Sequence, residues 1–166
     1  MSSTSHPTAC LQLDYRGGLC SAGAGLAVAT HLALCPWCAE ASLKPWGGRN
    51  LPGVLAADHG TGGDAYAKAL GAAVLEAWRD NGSGVRLAAL RGVAGIGEAA
   101  YLVDATAGAA INLPGALFMV VLQGLLVDGP ISLARGVFID LTAIPLLDPR
   151  GVDPQGCICL VICEAI

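Results

Sequence analysis

The sequence predicts an α+β fold, in which a small helical N-terminal segment is followed by an antiparallel β-barrel or sandwich. Residues 7–45 place apolar side chains at helical spacing. From residue 84 onward, short runs rich in Val, Ile, Leu and Phe alternate with turn residues, as they do in antiparallel sandwiches. Apolar residues make up 54% of the 166 residues and charged residues only 13%. This composition supports a packed core and argues against disorder.

The helical segment is interrupted at two places. Gly17-Gly18 and Ser21 separate "TACLQLDY" from "AGLAVATHLAL". Pro36 does not fit inside a helix, but its fixed φ suits the first position of a new one. One helix should therefore end near Leu34–Cys35, and a short second helix should begin at "PWCAEASL".

A Gly- and Pro-rich stretch separates the two parts of the chain. "KPWGGRNLPG" follows the helical segment and is typical of a linker. Residues 65–79, "AYAKALGAAVLEAWR", then predict one more helix from a weak alanine stripe. We place the boundary near residue 50, which gives a helical domain over 1–49 and a β-domain over 50–166.

The β-domain is predicted from six short apolar runs: "VRLAALR", "AAYLVDA", "ALFMVVLQG", "LLVDG", "GVFIDLTAI" and "CICLVICEA". Asp128-Gly129 is a good hairpin turn. The chain carries no charge between Asp104 and Asp128, a length that could span a bilayer. Turn signals interrupt that stretch, so two short buried strands fit residues 105–127 better than one membrane-spanning helix.

Charge and cysteine content narrow the classes of function. The net charge is −4 and nine Lys and Arg residues are thinly spread, which argues against direct nucleic-acid binding. Seven unevenly placed cysteines do not form a disulfide framework, and "MSSTSHPTAC" lacks the apolar region of a signal peptide. We therefore expect a reducing, cytoplasmic location. The sequence offers no Walker loop, no Ser-His-Asp order and no paired carboxylates, so we predict no catalytic residues.

A cluster of soft metal ligands lies in the helical segment. His31 and Cys35 are four residues apart and share a helix face, and Cys38 follows the turn at Pro36. His-x3-Cys-x2-Cys spacing can thus place three ligands around one point. A structural zinc ion takes four N and S ligands, and His6 is the other histidine near the N-terminus.

Two other interpretations of this cluster stay open. Cys-Pro-Trp-Cys is compatible with a thiol redox motif, which would begin a helix in a βαβ unit. No such unit follows, and redox chemistry leaves His31 unexplained. The cysteines can also be ordinary buried thiols. Trp37, between them, either covers the site or offers an exposed contact to a partner.

Residues 6–38 carry a motif with a known counterpart. His6, Tyr15, "VATHLALCPWC" at 28–38 and the spacing between them resemble the zinc-binding anti-sigma domain of ChrR-type proteins. The resemblance implies a helical bundle that sequesters an extracytoplasmic-function sigma factor from RNA polymerase. It also implies that one zinc ion is bound by four residues: His6, His31, Cys35 and Cys38.

The C-terminal part resembles the cupin domain of the same family. The segments are "LPGVL" (51–55), "AWRDNGSGVRLAAL" (77–90), "AYLVDATAG" (100–108), "VVLQGLLVDG" (120–129) and "CICLVICE" (157–164). The resemblance implies a cupin, or jelly-roll, barrel and covers most of the chain together with the N-terminal match. One departure lies between the two parts, where residues 39–50 alone replace a further helix of the family.

The second departure concerns the cupin metal site. That site uses His-x-His, a Glu four residues later and a further His, and the corresponding positions here are aliphatic: Ile111, Leu113, Leu117 and Leu147. No histidine follows His59, so the barrel cannot supply an imidazole-rich metal centre. We expect no metal in the barrel, whose interior aliphatic side chains pack together or line an apolar cavity.

These observations predict a non-enzymatic transcription regulator, a zinc-dependent anti-sigma factor with a metal-free cupin-like sensor or support domain. An alternative is a barrel that binds an apolar small molecule beside a purely structural zinc domain. A metal-dependent cupin enzyme is disfavoured by the missing histidines. Cys157, Cys159 and Cys163 share one face of a strand, and we interpret them as small core residues rather than ligands.

Overall fold

The N-terminal segment folds into three helices. A computed structural model of the chain describes residues 6–41, 66, 70, 74–75 and 77–165. In it the helices are α1 (Ala9–Gly17), α2 (Ala22–Leu34) and α3 (Pro36–Ala41). The predicted breaks are confirmed, because Gly18 ends α1 with a φ of 71° and Pro36 is the first residue of α3. The linker lies outside the described residues, as does His59.

Side-chain caps start the first two helices. The Thr8 hydroxyl accepts a hydrogen bond from the Leu11 amide, and the Ser21 hydroxyl accepts one from the Ala24 amide. Helices α1 and α2 meet at 110°. Across the described ranges, no single helix is long and apolar enough to cross a membrane; the bent α1–α2 pair meets that criterion only by combined length and composition.

The described part of the C-terminal region contains ten strands in two antiparallel sheets. The strands are β1 (Val74–Leu75), β2 (Arg79–Asp80), β3 (Val85–Arg91), β4 (Glu98–Ala105), β5 (Ala116–Gln123), β6 (Leu125–Asp128), β7 (Ile131–Ala134), β8 (Phe138–Asp140), β9 (Arg150–Gly151) and β10 (Cys157–Glu164). The larger sheet has the order β1-β3-β4-β10-β5-β8, with β2 also pairing with β3. The smaller sheet has the order β7-β6-β9. The predicted α+β class, in which a helical segment is followed by an antiparallel β-sandwich, is confirmed.

The predicted strands agree with the structure, whereas one predicted helix does not. Each of the six apolar runs forms a strand, and the strands β5 and β6 replace any spanning helix over 105–127. Gly129, with a φ of 56°, lies in the tight turn between β6 and β7. The helix predicted over 65–79 was wrong at its C-terminal end, where β1 and β2 pair with β3. Backbone pairing at the sheet edge outweighs the weak alanine stripe there.

The larger sheet is buried on both faces, which explains the uninterrupted apolar sequence of β10. Successive side chains of β10 point alternately into two hydrophobic cores, one on each face of the sheet. One core, against α2, includes Ile158, Leu160 and Ile162. The other core, between the two sheets, includes Cys157, Cys159, Val161 and Cys163. The three cysteines therefore share one buried face, as predicted, and the fold has three layers: helices, large sheet and small sheet.

Helix α2 is an integral part of the first core. Leu26, Ala27 and Val28 are buried against the large sheet. At the start of the helix, the Glu98 carboxylate of β4 accepts hydrogen bonds from the Ser21 hydroxyl and from the Gly23 amide, the latter at 2.8 Å. A carboxylate at a helix N-terminus is favoured by the helix dipole. The helical segment is thus anchored to the sheet by packing and by a capping carboxylate.

Gly23 is the point of closest approach between α2 and the sheet. A Cβ atom added there would lie 2.6 Å from Ile162 Cγ2, whereas one added at Gly25 would meet nothing closer than 4.0 Å. We expect Gly23→Ala to lower the free energy of unfolding by about 1–3 kcal/mol through overpacking. Gly25→Ala, the matched control, should raise it by about 0.5–1 kcal/mol through helix propensity. Urea unfolding of both variants checks this, and equal effects of the two substitutions would contradict the packing described here.

Candidate metal centre

The structure brings all four predicted ligands together. His6 precedes α1, His31 lies in the last turn of α2, Cys35 caps the end of α2, and Cys38 lies in α3. One ligand atom from each residue lies within 4.8 Å of every other. The turn at Pro36 produces this convergence, because it redirects the chain so that Cys38 returns to the face that carries His31.

The spacing within the cluster fits a tetrahedral ion. Zinc bonds of about 2.0–2.3 Å at tetrahedral angles separate neighbouring ligand atoms by about 3.3–3.8 Å. The Nδ1 atom of His6 lies 3.3 Å from His31 Nε2, 3.3 Å from Cys38 Sγ and 3.7 Å from Cys35 Sγ. Two imidazoles and two thiols are also a donor set that zinc prefers. The cluster is therefore compatible with one zinc ion.

The sandwich orients one of these ligands. His31 is 1% exposed, and its Nδ1 atom lies 2.6 Å from the carbonyl oxygen of Gly136, between β7 and β8. A carbonyl only accepts hydrogen bonds, so Nδ1 carries the proton and donates it. The lone pair of Nε2 is then directed into the cluster. Such hydrogen bonds to the remote nitrogen fix the tautomer and ring orientation of metal-binding histidines.

Burial sets the protonation of the two innermost groups. It lowers the pKa of His31 to about 4, with a smaller contribution from nearby His6. The imidazole is thus neutral at pH 7, which is the form that binds metal. Burial, followed by the proximity of Cys35, raises the pKa of Cys38 to about 11. A metal cation would reverse this preference and hold the thiolate, so metal uptake should release protons.

Sequence reasoning missed the residues that anchor the cluster to the sandwich. The carbonyl of Gly136 and the carboxylate of Glu98 both come from the β-domain, far from the helices in sequence. The one available signal was Gly23 in "AGAGLA", since glycine inside a helix often marks close packing. Trp37, whose two interpretations were left open, is 76% exposed and faces solvent.

Gly136 should tune metal affinity through His31. It has a φ of 88°, and an added Cβ would lie 3.4 Å from Leu34 at the end of α2. Gly136→Ala should therefore displace the carbonyl that orients His31 and weaken zinc binding about 10–100-fold. Gly82→Ala is the matched control, because Gly82 has a φ of 79° and open space around it. Competition with a zinc chelator measures the zinc affinity of both variants. If Gly136→Ala and Gly82→Ala lose zinc affinity equally, the loss comes from backbone strain and not from the orientation of His31.

Three of the four positions that the resemblance assigns to a cupin metal site line one cavity of about 410 Å³. Ile111, Leu113 and Leu147 are among the residues that line it, whereas Leu117 is not among its described lining residues. Three of the four predicted aliphatic replacements therefore lie around one place in the fold. The cavity lies on the face of the large sheet opposite α2, since its floor includes Met119 and Val161.

These features define a class of protein: a helical His/Cys centre packed onto an antiparallel β-sandwich. The crystal structure of Rhodobacter sphaeroides SigE in complex with the anti-sigma ChrR is similar over 96% of this chain and 98% of the solved chain, with a TM-score of 0.70 and 25% sequence identity. The ChrR-type resemblance predicted from the sequence is confirmed by this similarity and by the ligand cluster.

Other solved structures are similar over about half of this chain. KdgF from Halomonas sp. is 15% identical, with a TM-score of 0.42 over 55% of this chain and 88% of its own. An RmlC-like cupin protein from Ralstonia eutropha is 16% identical, with a TM-score of 0.39 over 54% of this chain and 63% of its own. No protein-family model and no curated protein sequence matches the chain.

Proposed function

We propose that this protein is a zinc-dependent anti-sigma factor that sequesters an extracytoplasmic-function sigma factor. The observation that carries the proposal is the likeness to ChrR, seen in complex with SigE, over nearly the whole of both chains. The His/Cys cluster adds a second, chemical argument. His6, His31, Cys35 and Cys38 are the proposed ligands of one zinc ion.

The role of zinc in this proposal is structural. The four ligands come from the segment before α1, the end of α2 and the start of α3, so one ion ties together three separate parts of the helical segment. A bound zinc ion supplies four strong bonds and no vacant position for chemistry when all four ligands are in place. His6 closes the long loop to His31, which restricts the unfolded chain.

The proposed sigma-binding surface lies on the outward faces of these helices. The inward face of α2 is already occupied by the sheet. Within residues 6–41, which the structure describes, three large apolar side chains remain exposed: Leu13 at 63%, Leu19 at 77% and Trp37 at 76%. Exposed aromatic and aliphatic side chains are typical anchors for a partner helix. Holding α3 in place through Cys38 would therefore keep Trp37 in position for the partner.

We propose a division of roles at the predicted boundary. Residues 1–49 carry zinc and the sigma factor, and residues 50–166 form a cupin-like support that orients His31 and packs against α2. The protein would act by binding and sequestering the sigma factor rather than by catalysis. It would work in the cytoplasm, where sigma factors meet RNA polymerase.

Co-purification with candidate extracytoplasmic-function sigma factors tests this proposal. The full chain should retain one of them, and Trp37→Ser should weaken that complex about 10-fold or more, because it removes an exposed aromatic anchor. Ile96→Ser is the matched control, because Ile96 is fully exposed on a loop of the sandwich. If no sigma factor is retained, the proposed function is wrong. If Ile96→Ser weakens binding and Trp37→Ser does not, the proposed surface is wrong.

A further inference from the structure

The short strand β8 forms one edge of the large sheet. It has three residues, Phe138–Asp140, and among the described strands it pairs with β5 alone. Short strands at a sheet edge open locally at a lower free energy than central strands do, because fewer hydrogen bonds hold them. Helix α2 packs beside this edge, so its side chains are placed to stabilise it.

The side chain of His31 contacts this edge in two ways. Its Nδ1 atom donates a hydrogen bond of 2.6 Å to the carbonyl of Gly136, in the turn that leads into β8. Its ring also meets the ring of Phe138 edge-on, with the two centroids 6.0 Å apart. His31 and Phe138 are each 1% exposed, so these contacts form away from water, where a hydrogen bond is stronger.

The same turn is hydrogen-bonded to β5. The Gly136 amide donates to the carbonyl of Val121 at 2.7 Å, and the Val121 amide donates to the carbonyl of Val137 at 3.1 Å. Phe138 in turn packs against Phe118 of β5, with the ring centroids 5.8 Å apart. The orientation of the histidine and the pairing of β8 with β5 therefore depend on the same few contacts.

We propose that zinc binding and the pairing of β8 with β5 are coupled through His31, so that an occupied metal centre closes this edge of the sheet and an opened edge weakens metal binding. Ligation of Nε2 would fix the His31 ring, and a fixed ring holds the Gly136 carbonyl through Nδ1. Such coupling is reciprocal, because the stability that zinc adds to the edge equals the zinc affinity that the closed edge adds. The inference rests on the proposed zinc ligands, and it gives the β-domain a route by which to control the proposed sigma-binding helices.

Amide hydrogen exchange of the full chain, followed by NMR with zinc and after its removal by a chelator, tests the proposal. The amides of Val121 and Gly136 should exchange at least about 5-fold more slowly with zinc, the lower end of typical couplings between sites. The Thr106 amide is the matched control, because it donates to the Gly84 carbonyl at 2.9 Å just beyond β4, three strands from β8. Equal slowing at Thr106, or no slowing at Val121 and Gly136 while zinc is bound, would overturn the coupling.

A substitution in the sheet supplies the reciprocal test. Phe118→Leu removes the aromatic packing against Phe138 without changing a ligand, and it should weaken zinc binding about 5-fold or more in competition with a chelator. Tyr101→Leu is the matched control, because Tyr101 is a partly buried aromatic residue of β4 that packs in the core on the opposite face of the sheet. Unchanged affinity in Phe118→Leu, or equal losses in both variants, would overturn the coupling. A wild-type chain that binds no zinc would refute the proposed ligands as well, and neither measurement depends on whether a sigma factor binds.

Discussion

Replacing Cys38 with serine is expected to abolish stoichiometric zinc binding. The thiolate is the ligand that zinc binds tightly, and a serine hydroxyl in this 8% exposed position would not replace it. Elemental analysis of protein purified without chelator should fall from about one zinc per chain to near zero, as expected for a site with four ligands. Cys10→Ser is the matched control, because Cys10 is an exposed thiol outside the cluster. A Cys38→Ser protein that keeps one zinc ion would contradict the ligand set.

The same variant should remain largely folded. A free-standing helical domain of this length would unfold without its metal. Here, however, Leu26, Ala27 and Val28 of α2 belong to the core of the large sheet. We therefore expect Cys38→Ser to release α3 and the segment around His6 while α2 and the sandwich persist. Circular dichroism and limited proteolysis distinguish this local change from complete unfolding of the helical segment.

Acid should destabilise the zinc-free protein through His31. Burial lowers the pKa of His31 in the folded chain to about 4, below the ordinary value of 6.5. As the pH falls, the unfolded chain takes up the proton first, so unfolding becomes more favourable. This contribution to stability is fully present above pH 6.5 and is lost progressively down to about pH 4, by about 3 kcal/mol in all.

Urea unfolding in the presence of a chelator, at pH 7 and at pH 4.5, measures the effect. Carboxylates also titrate in this range, so a matched variant is needed. His31→Asn keeps an N–H group that can donate to the Gly136 carbonyl but has no proton to gain. We expect the wild-type protein to lose more stability than this variant between the two pH values. Equal losses would show that His31 is not the buried titrating group.

Local sequence signals predicted the elements of this fold because each signal has a local physical cause. Pro36 can start a helix but not continue one, so its position fixed the boundary between α2 and α3. The Asp128-Gly129 pair likewise located the hairpin between β6 and β7. The ligand cluster was predictable because three of its members lie within eight residues, at the end of α2 and the start of α3.

Long-range contacts could not be predicted in the same way. The uniformly apolar sequence of α2 does not indicate which side faces a sheet, and Gly136 and Glu98 meet the helix only through tertiary packing. The end of the 65–79 segment is a similar case, because Val74 and Leu75 form a strand only by pairing with β3 at one edge of the large sheet. A weak helix propensity is overridden when the same residues can pair with a neighbouring strand. The exposure of Trp37 also depends on how α3 packs against the rest of the protein, and the sequence alone does not show this packing.

The most direct test of the account is the affinity of the full chain for its sigma factor at different zinc occupancies. Zinc-loaded, chelator-stripped and reloaded protein would be titrated with the sigma factor that co-purifies with it. We predict that affinity falls at least about 10-fold when zinc is removed and returns on reloading, because metal-held helices present a preorganised surface. Affinity that is the same with and without zinc would contradict the central claim that the metal maintains the sigma-binding arrangement.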